Sequence, residues 1–161
     1  MKIEDLLRDD EPAILDEATP TIARLAHYER DGGEATRLRV ASLYRHVTRA
    51  VGARDLDDLL AHAARIARER FEAGFDLSEV QAAFTTLEDA ISRRALARMS
   101  HDDLAWGLAL VTTALAHART ELGRTFATLA HGARPGAVDL TSVFKRSETA
   151  GRPLEELVYP V

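Results

Sequence analysis

The chain has 161 residues, a formal net charge of -5 and no cysteine, and hydrophobic residues make up 46% of it. This balance predicts one folded domain with its own core, and the acidic charge argues against nucleic acid as a partner. Without cysteine the chain forms no disulfide and offers no thiolate ligand, which fits a reducing cytoplasm. No apolar run approaches the roughly 20 residues that a membrane span needs. We therefore expect a cytoplasmic protein that binds neither nucleic acid nor membrane.

The first third of the chain carries the apolar spacing of amphipathic helices. This spacing predicts a short helix over residues 2–9 and a longer one over residues 13–30. Pro20 removes an amide in the middle of the second helix, so we expect a kink near Thr19 that costs about 3 kcal/mol in a regular interior. After a glycine loop, a third helix is predicted over residues 36–51.

The stretch from Leu56 to Ile91 predicts two helices joined by a tight turn. Gly74 suits the left-handed conformation that often ends a helix, because glycine has no Cβ. Asp76 is the predicted N-cap of the second helix, and Glu79 three residues later completes a capping box. Because the turn is short, we expect the two helices to pack antiparallel as a hairpin.

Residues around this turn resemble those of a known family. They are His62-Ala63, Arg70, Gly74-Phe75, Leu77-Ser78-Glu79-Val80 and Leu87. With them, residues 14–129 resemble the RsbRD-type N-terminal domain, the sensory half of RsbR-class regulators of the bacterial stress response. The resemblance implies a globin-like helical domain without haem that dimerises and modulates a signalling partner. Such regulators usually continue into a STAS domain. Here the last helix leads to residues 132–161 instead, so the phosphorylation switch is not carried over.

A long last helix is predicted over residues 102–130, with apolar residues at nearly heptad spacing and Ser100 as its N-cap. Its first half also has a second apolar side, formed by Trp106, Leu110 and Thr113 and followed by His117. Either this helix is sandwiched within the chain, or the second side contacts another subunit. We expect the latter, a homodimer through Trp106, Leu110, Thr113 and His117.

The tail, residues 132–161, begins with glycine and proline and ends in an apolar cluster. This cluster consists of Leu154, Leu157, Val158, Tyr159 and Val161. Two interpretations stay open. The cluster either folds back over the helices as a latch, or it is a recognition peptide that enters a groove on a partner.

The histidines and arginines give no indication of catalysis or of a cofactor. The six histidines lie outside the main apolar arcs or at helix ends, which argues against haem, and none has a glutamate three residues before it as a di-iron bundle requires. No catalytic or nucleotide-binding motif is present. The groups Arg65, Arg68, Arg70 and Arg93, Arg94, Arg98 are predicted to form solvated, salt-bridged surfaces.

The sequence thus predicts an all-α protein: one globin-like domain of five to six helices in residues 1–131, followed by the tail. We expect a non-enzymatic regulatory or signalling domain, without cofactor or metal, that binds an unidentified protein partner. One alternative is an adaptor whose C-terminal peptide docks the helical body to a larger assembly. The other is a sensor that binds a ligand or haem between its helices.

Overall fold

A computed structural model of the chain describes residues 1–133 and residue 154. These residues form seven α-helices and no strand, which confirms the all-α class and the long last helix. The helices are α1 (Ile3–Asp9), α2 (Glu11–Ile22), α3 (Ala26–Asp31), α4 (Gly33–Ala53), α5 (Asp57–Glu72), α6 (Leu77–Arg98) and α7 (His101–Gly132). In this part of the chain, none of the helices combines the length and apolar character needed to cross a bilayer.

One predicted helix is divided into two, which accounts for the additional helix. Pro20 lies within α2, and the helix continues only to Ile22. Leu25 then adopts an extended conformation and precedes α3 as its N-cap. The break therefore follows Pro20 instead of forming a kink at Thr19. Its consequence is a short, separately oriented α3 that packs against α4 and buries Tyr28 to 3% exposure.

The helices are arranged around α7, which packs most extensively along α5 and also contacts α1, α4 and α6. Helix α6 packs on α2 and α7, with little contact to α5. The predicted antiparallel hairpin of α5 and α6 is therefore wrong. A short turn fixes where the next helix begins, but the apolar faces decide what each helix packs against.

The first half of α7 is sandwiched within the chain, because its buried arc is wider than the heptad stripe. Besides Val111 and Leu115, this arc includes Gly107, Leu110 and Ala114. At Gly107 the approach of α1 is so close that an added Cβ would lie 2.9 Å from Cβ of Ile3. Helix α1 thus packs on α7 about one turn before Leu110, which the sequence assigned to a second subunit.

A buried carboxylate links the start of the chain to α6. Asp10, at the junction of α1 and α2, is 4% exposed, and its carboxylate accepts hydrogen bonds from Nε of Arg94 at 2.7 Å and from Arg98. Arg93 of the same helix pairs with Glu17. The second arginine group is thus salt-bridged as predicted, and its partners are carboxylates of the α1–α2 junction and of α2.

Replacing Gly107 by alanine should lower the free energy of unfolding by about 1–3 kcal/mol, because the new methyl group has to displace Ile3 and with it α1. Gly52 is the matched control. It lies in α4 with nothing within 4 Å of an added Cβ. Gly52→Ala should raise the stability by up to about 1 kcal/mol through helix propensity. Urea unfolding of both variants measures the difference, and equal effects would contradict the close contact of α1 with α7.

Candidate functional site: an arginine-lined cavity beside the α5–α6 turn

The geometry of the site starts from the way α5 ends. Gly74 has φ 84°, Phe75 N–H donates to the carbonyl of Arg70 at 2.9 Å, and Gly74 N–H donates to the carbonyl of Phe71 at 3.1 Å. This pair of hydrogen bonds is a Schellman motif, which returns the residue after the glycine to the last turn of the helix. As predicted, Gly74 takes the left-handed conformation. The ring of Phe75 is thereby carried over the side chain of Arg70.

Phe75 is 4% exposed and is the centre of an aromatic and cationic cluster. The ring of Tyr28 meets it edge-on at a centroid distance of 5.0 Å, and the ring of His27 lies at 5.1 Å. Three guanidinium groups also lie near its face: those of Arg30, Arg39 and Arg70, at 5.6, 5.7 and 5.6 Å from the ring centroid. We call these six residues the Phe75 cluster.

Arg70 is the buried member of the three arginines, with 7% exposure. Among the described residues, its Nε–H has no hydrogen-bond partner, and its one ion pair is a 3.4 Å contact with Glu69, whose side chain is 69% exposed. The prediction of a solvated arginine group is therefore wrong at this position, although Arg65 and Arg68 are exposed. The sequence contains a signal for the burial of Arg70. This residue follows the buried Ala63 by two helical turns and therefore lies on the same face of α5.

Two carboxylates are bound by members of the Phe75 cluster other than Arg70. Asp31 accepts from Arg39 at 2.8 Å and from Arg30 at 3.1 Å, and these hydrogen bonds lower its pKa. Glu79 accepts from the backbone N–H of His27 at 3.0 Å and contacts its ring Nδ1 at 2.5 Å.

The protonation state of Glu79 follows from these contacts. Burial by itself raises the pKa of Glu79, but the hydrogen bonds from His27 and from the amide of Asp76 bring it below its ordinary value. Asp76 is the N-cap of α6 as predicted, but its own side chain makes no capping hydrogen bond. Glu79 is thus an ionised partner of α3 and is not bound to Arg70.

A small cavity lies beside Arg70. It has about 20 Å³ of free space, which is room for roughly one water molecule. Its polar lining residues are Tyr28, Arg39 and Arg70, and its apolar lining residues are Ile22, Val40, Leu43, Ile66, Ala83 and Phe84. Burial raises the pKa of Tyr28 despite the nearby Arg70. The tyrosine is therefore a neutral hydroxyl, and the arginines supply the charge of this Arg70 cavity.

Two other histidines form a separate, partly buried pair. The rings of His46 in α4 and His62 in α5 are stacked, with centroids 3.7 Å apart and planes 2° from parallel. Burial, followed by the effect of His46 and of nearby arginines, lowers the pKa of His62 to about 4. Among the described residues, no three histidine, aspartate or glutamate side chains come together as a metal site would require.

The four residues predicted for a dimer interface lie along one edge of α7. Leu110 is fully buried in the core of the chain. Trp106, Thr113 and His117 are half-buried, and burial lowers the pKa of His117. Leu110 therefore has no surface left for a second subunit, while the other three retain some. The dimer itself stays a prediction.

Of the predicted tail peptide, one residue is described. Leu154 is fully buried, and its N–H donates to the carbonyl of Arg54 at 3.0 Å, at the turn between α4 and α5. This contact agrees with the latch interpretation for Leu154. Leu157, Val158, Tyr159 and Val161 lie outside the described residues, so their assignment to a partner-binding peptide stays a prediction.

Comparison with known proteins gives the chain no relatives. No protein-family model matches it, and neither the curated proteins nor the solved structures include a match. The resemblance to RsbRD-type domains, and the globin-like fold that it implies, therefore stay predictions.

The His46–His62 pair predicts a loss of stability in acid. His62 has a folded-state pKa of about 4, below its ordinary value of about 6.5. The unfolded chain thus binds a proton at this residue before the folded chain does. The free energy of unfolding should fall as pH decreases from about 6.5 to about 4, by about 1–2 kcal/mol for a half-buried ring.

Urea unfolding at a series of pH values measures this contribution. His62→Asn should flatten the profile in this window, whereas His101→Asn, at an exposed position, should leave it unchanged. Parallel profiles for the His62 variant and the unsubstituted chain would rule out the assignment.

Proposed function

We propose that the chain is a non-enzymatic regulatory domain that senses a small ligand in the Arg70 cavity and reports its binding to a protein partner. The proposal combines two of the functions expected from the sequence, the regulatory interaction domain and the ligand sensor. It includes the expected cytoplasmic location. It requires neither haem nor a metal ion.

The observation that carries the proposal is the burial of Arg70 without a buried carboxylate bound to it in the described part of the chain. A buried charge without a good partner costs several kcal/mol, and an apolar side chain of similar volume would fill the same space at lower cost. Arg70 has a free Nε–H, a long contact to an exposed glutamate and an adjacent cavity. An arginine in this setting is suited to binding a ligand more than to stabilising the fold.

The position of the cavity connects it to parts of the fold that can change. Its polar lining comes from α3, α4 and α5, and α3 is a helix of six residues with one buried residue, Tyr28. Elements with few buried apolar contacts open at low energy cost. A ligand that alters the contacts of Arg39 or Tyr28 therefore acts on α3 first. A protein partner that contacts the outer surface of α3 then detects whether the Arg70 cavity is occupied.

The adaptor function is the second candidate, and Leu154 bears on it. Because Leu154 is buried against the α4–α5 turn, it is not free to enter a groove on a partner while this contact holds. A docking peptide would have to consist of residues 155–161. The helical body and these residues can therefore be tested separately.

The function is tested by affinity capture from a lysate of the native host, with bound proteins identified by mass spectrometry. The baits are the full chain, Arg70→Met and Arg68→Met. Arg68 is exposed on the same helix, so its variant has the same charge change as Arg70→Met. We expect a partner bound alike by the full chain and Arg68→Met, and bound about threefold or more differently by Arg70→Met.

A fourth bait, ending at Leu154, retains the buried leucine and lacks residues 155–161. If the regulatory function is correct, this bait captures the same partner as the full chain. Loss of the partner with this bait alone would favour the adaptor. Equal capture by all four baits would show that the partner does not respond to the cavity.

A further inference from the structure

We infer that the ligand of the Arg70 cavity is a small monocarboxylate, an aliphatic acid such as acetate or propionate, whose carboxylate is bound by Arg70 and Arg39. This inference rests on the proposed function and names the chemical class of its ligand. It is drawn from the charge, the size and the lining of the cavity.

Among the described residues, the guanidinium groups around the cavity outnumber the carboxylates bound to them. Asp31 is shared between Arg30 and Arg39, and Glu79 is bound to His27. Arg70 is left with the exposed Glu69 at 3.4 Å, which solvent screens. A monoanion beside Arg70 would supply the missing charge where the low dielectric makes it most effective.

The chemistry of the donors favours a carboxylate. A guanidinium presents parallel N–H groups that match the two oxygens of a carboxylate. Arg70 offers its unused Nε–H from a buried side chain, and Arg39 lines the same cavity from the opposite helix, α4. The neutral hydroxyl of Tyr28 adds a donor without adding charge. These groups satisfy a planar monoanion better than a phosphate dianion, which would need further cations.

The apolar lining and the small volume restrict the rest of the ligand. Beyond the arginines, the wall consists of aliphatic residues and Phe84, which favour a methyl or ethyl group over a polar one. With about 20 Å³ free, room for roughly one water molecule, the cavity takes a carboxylic acid only when lining side chains move, and each added carbon increases that displacement. A longer acid would have to displace Leu43 or Ile66 from the core.

Binding would also change how α3 is held. Arg39 donates to Asp31, the last residue of α3, at 2.8 Å. A carboxylate in the cavity competes with Asp31 for this guanidinium. A second polar contact of α3, between His27 and Glu79, does not involve residues that line the cavity. Ligand binding thus acts on one end of α3 and leaves the other end fixed.

Thermal unfolding of the full chain tests the inference. Sodium chloride is replaced stepwise by sodium formate, acetate or propionate at constant ionic strength, and acetamide is the neutral analogue of acetate. We expect a saturable rise in the unfolding midpoint with the carboxylates and no rise with acetamide. Arg70→Met should weaken the apparent affinity for acetate at least about tenfold, and Arg68→Met should leave it unchanged.

Far-UV circular dichroism shows whether Arg70→Met folds. If it does not, Arg39→Met is used in its place, and this variant should also weaken acetate binding. An equal acetate response in the Arg70 and Arg68 variants would overturn the inference, and so would a response to acetamide as large as that to acetate.

The two proposals can fail separately. If no carboxylate raises the unfolding midpoint while partner capture still depends on Arg70, the ligand class is wrong and the regulatory function stands. If acetate binds at Arg70 while capture is indifferent to Arg70, the site stands and the regulatory function falls.

Discussion

The Schellman closure of α5 is the constraint on which the site depends. Once Gly74 takes a positive φ, Phe75 has to return to the last turn of the helix, and its ring then lies over the side chain of Arg70. The ring covers one side of the guanidinium, and the rings of Tyr28 and His27 pack against Phe75 from α3. The buried charge is therefore a consequence of how one helix ends.

Two buried ionic side chains of this fold, Asp10 and Arg70, differ in how well their charges are paired. Asp10 is buried as a carboxylate with two arginine partners, Arg94 and Arg98, whose side chains remain partly exposed. This arrangement joins the first helices to α6, and both charges are compensated. Arg70 is buried as a cation with no comparable partner among the described residues, because Asp31 and Glu79 are bound to other side chains. The contrast shows that the fold can compensate a buried charge, and that no described residue does so to the same degree at Arg70.

Much of the helical content follows from the sequence, because caps and apolar periodicity are local. Gly74, the N-caps Asp76 and Ser100 and the length of α7 were all predictable from residues within one or two turns. The packing partners were not. The packing of α1 on α7, for example, depends on Gly107 and Ile3, which are far apart in sequence. For the site, the sequence indicated the turn around Gly74 and the position of Arg70 on the apolar face. It could not indicate that Asp31 would be bound by Arg39 and Glu79 by His27, because these partners come from other helices.

We infer that Arg70 is retained at some cost to the stability of the fold. The most direct measurement is the free energy of unfolding of Arg70→Met relative to Arg68→Met, in a zwitterionic buffer free of small carboxylates. We expect Arg70→Met to be as stable as Arg68→Met within about 1 kcal/mol, or more stable, because methionine fills the space without a charge. A loss of about 3 kcal/mol or more, the cost of breaking a satisfied buried ion pair, would contradict it.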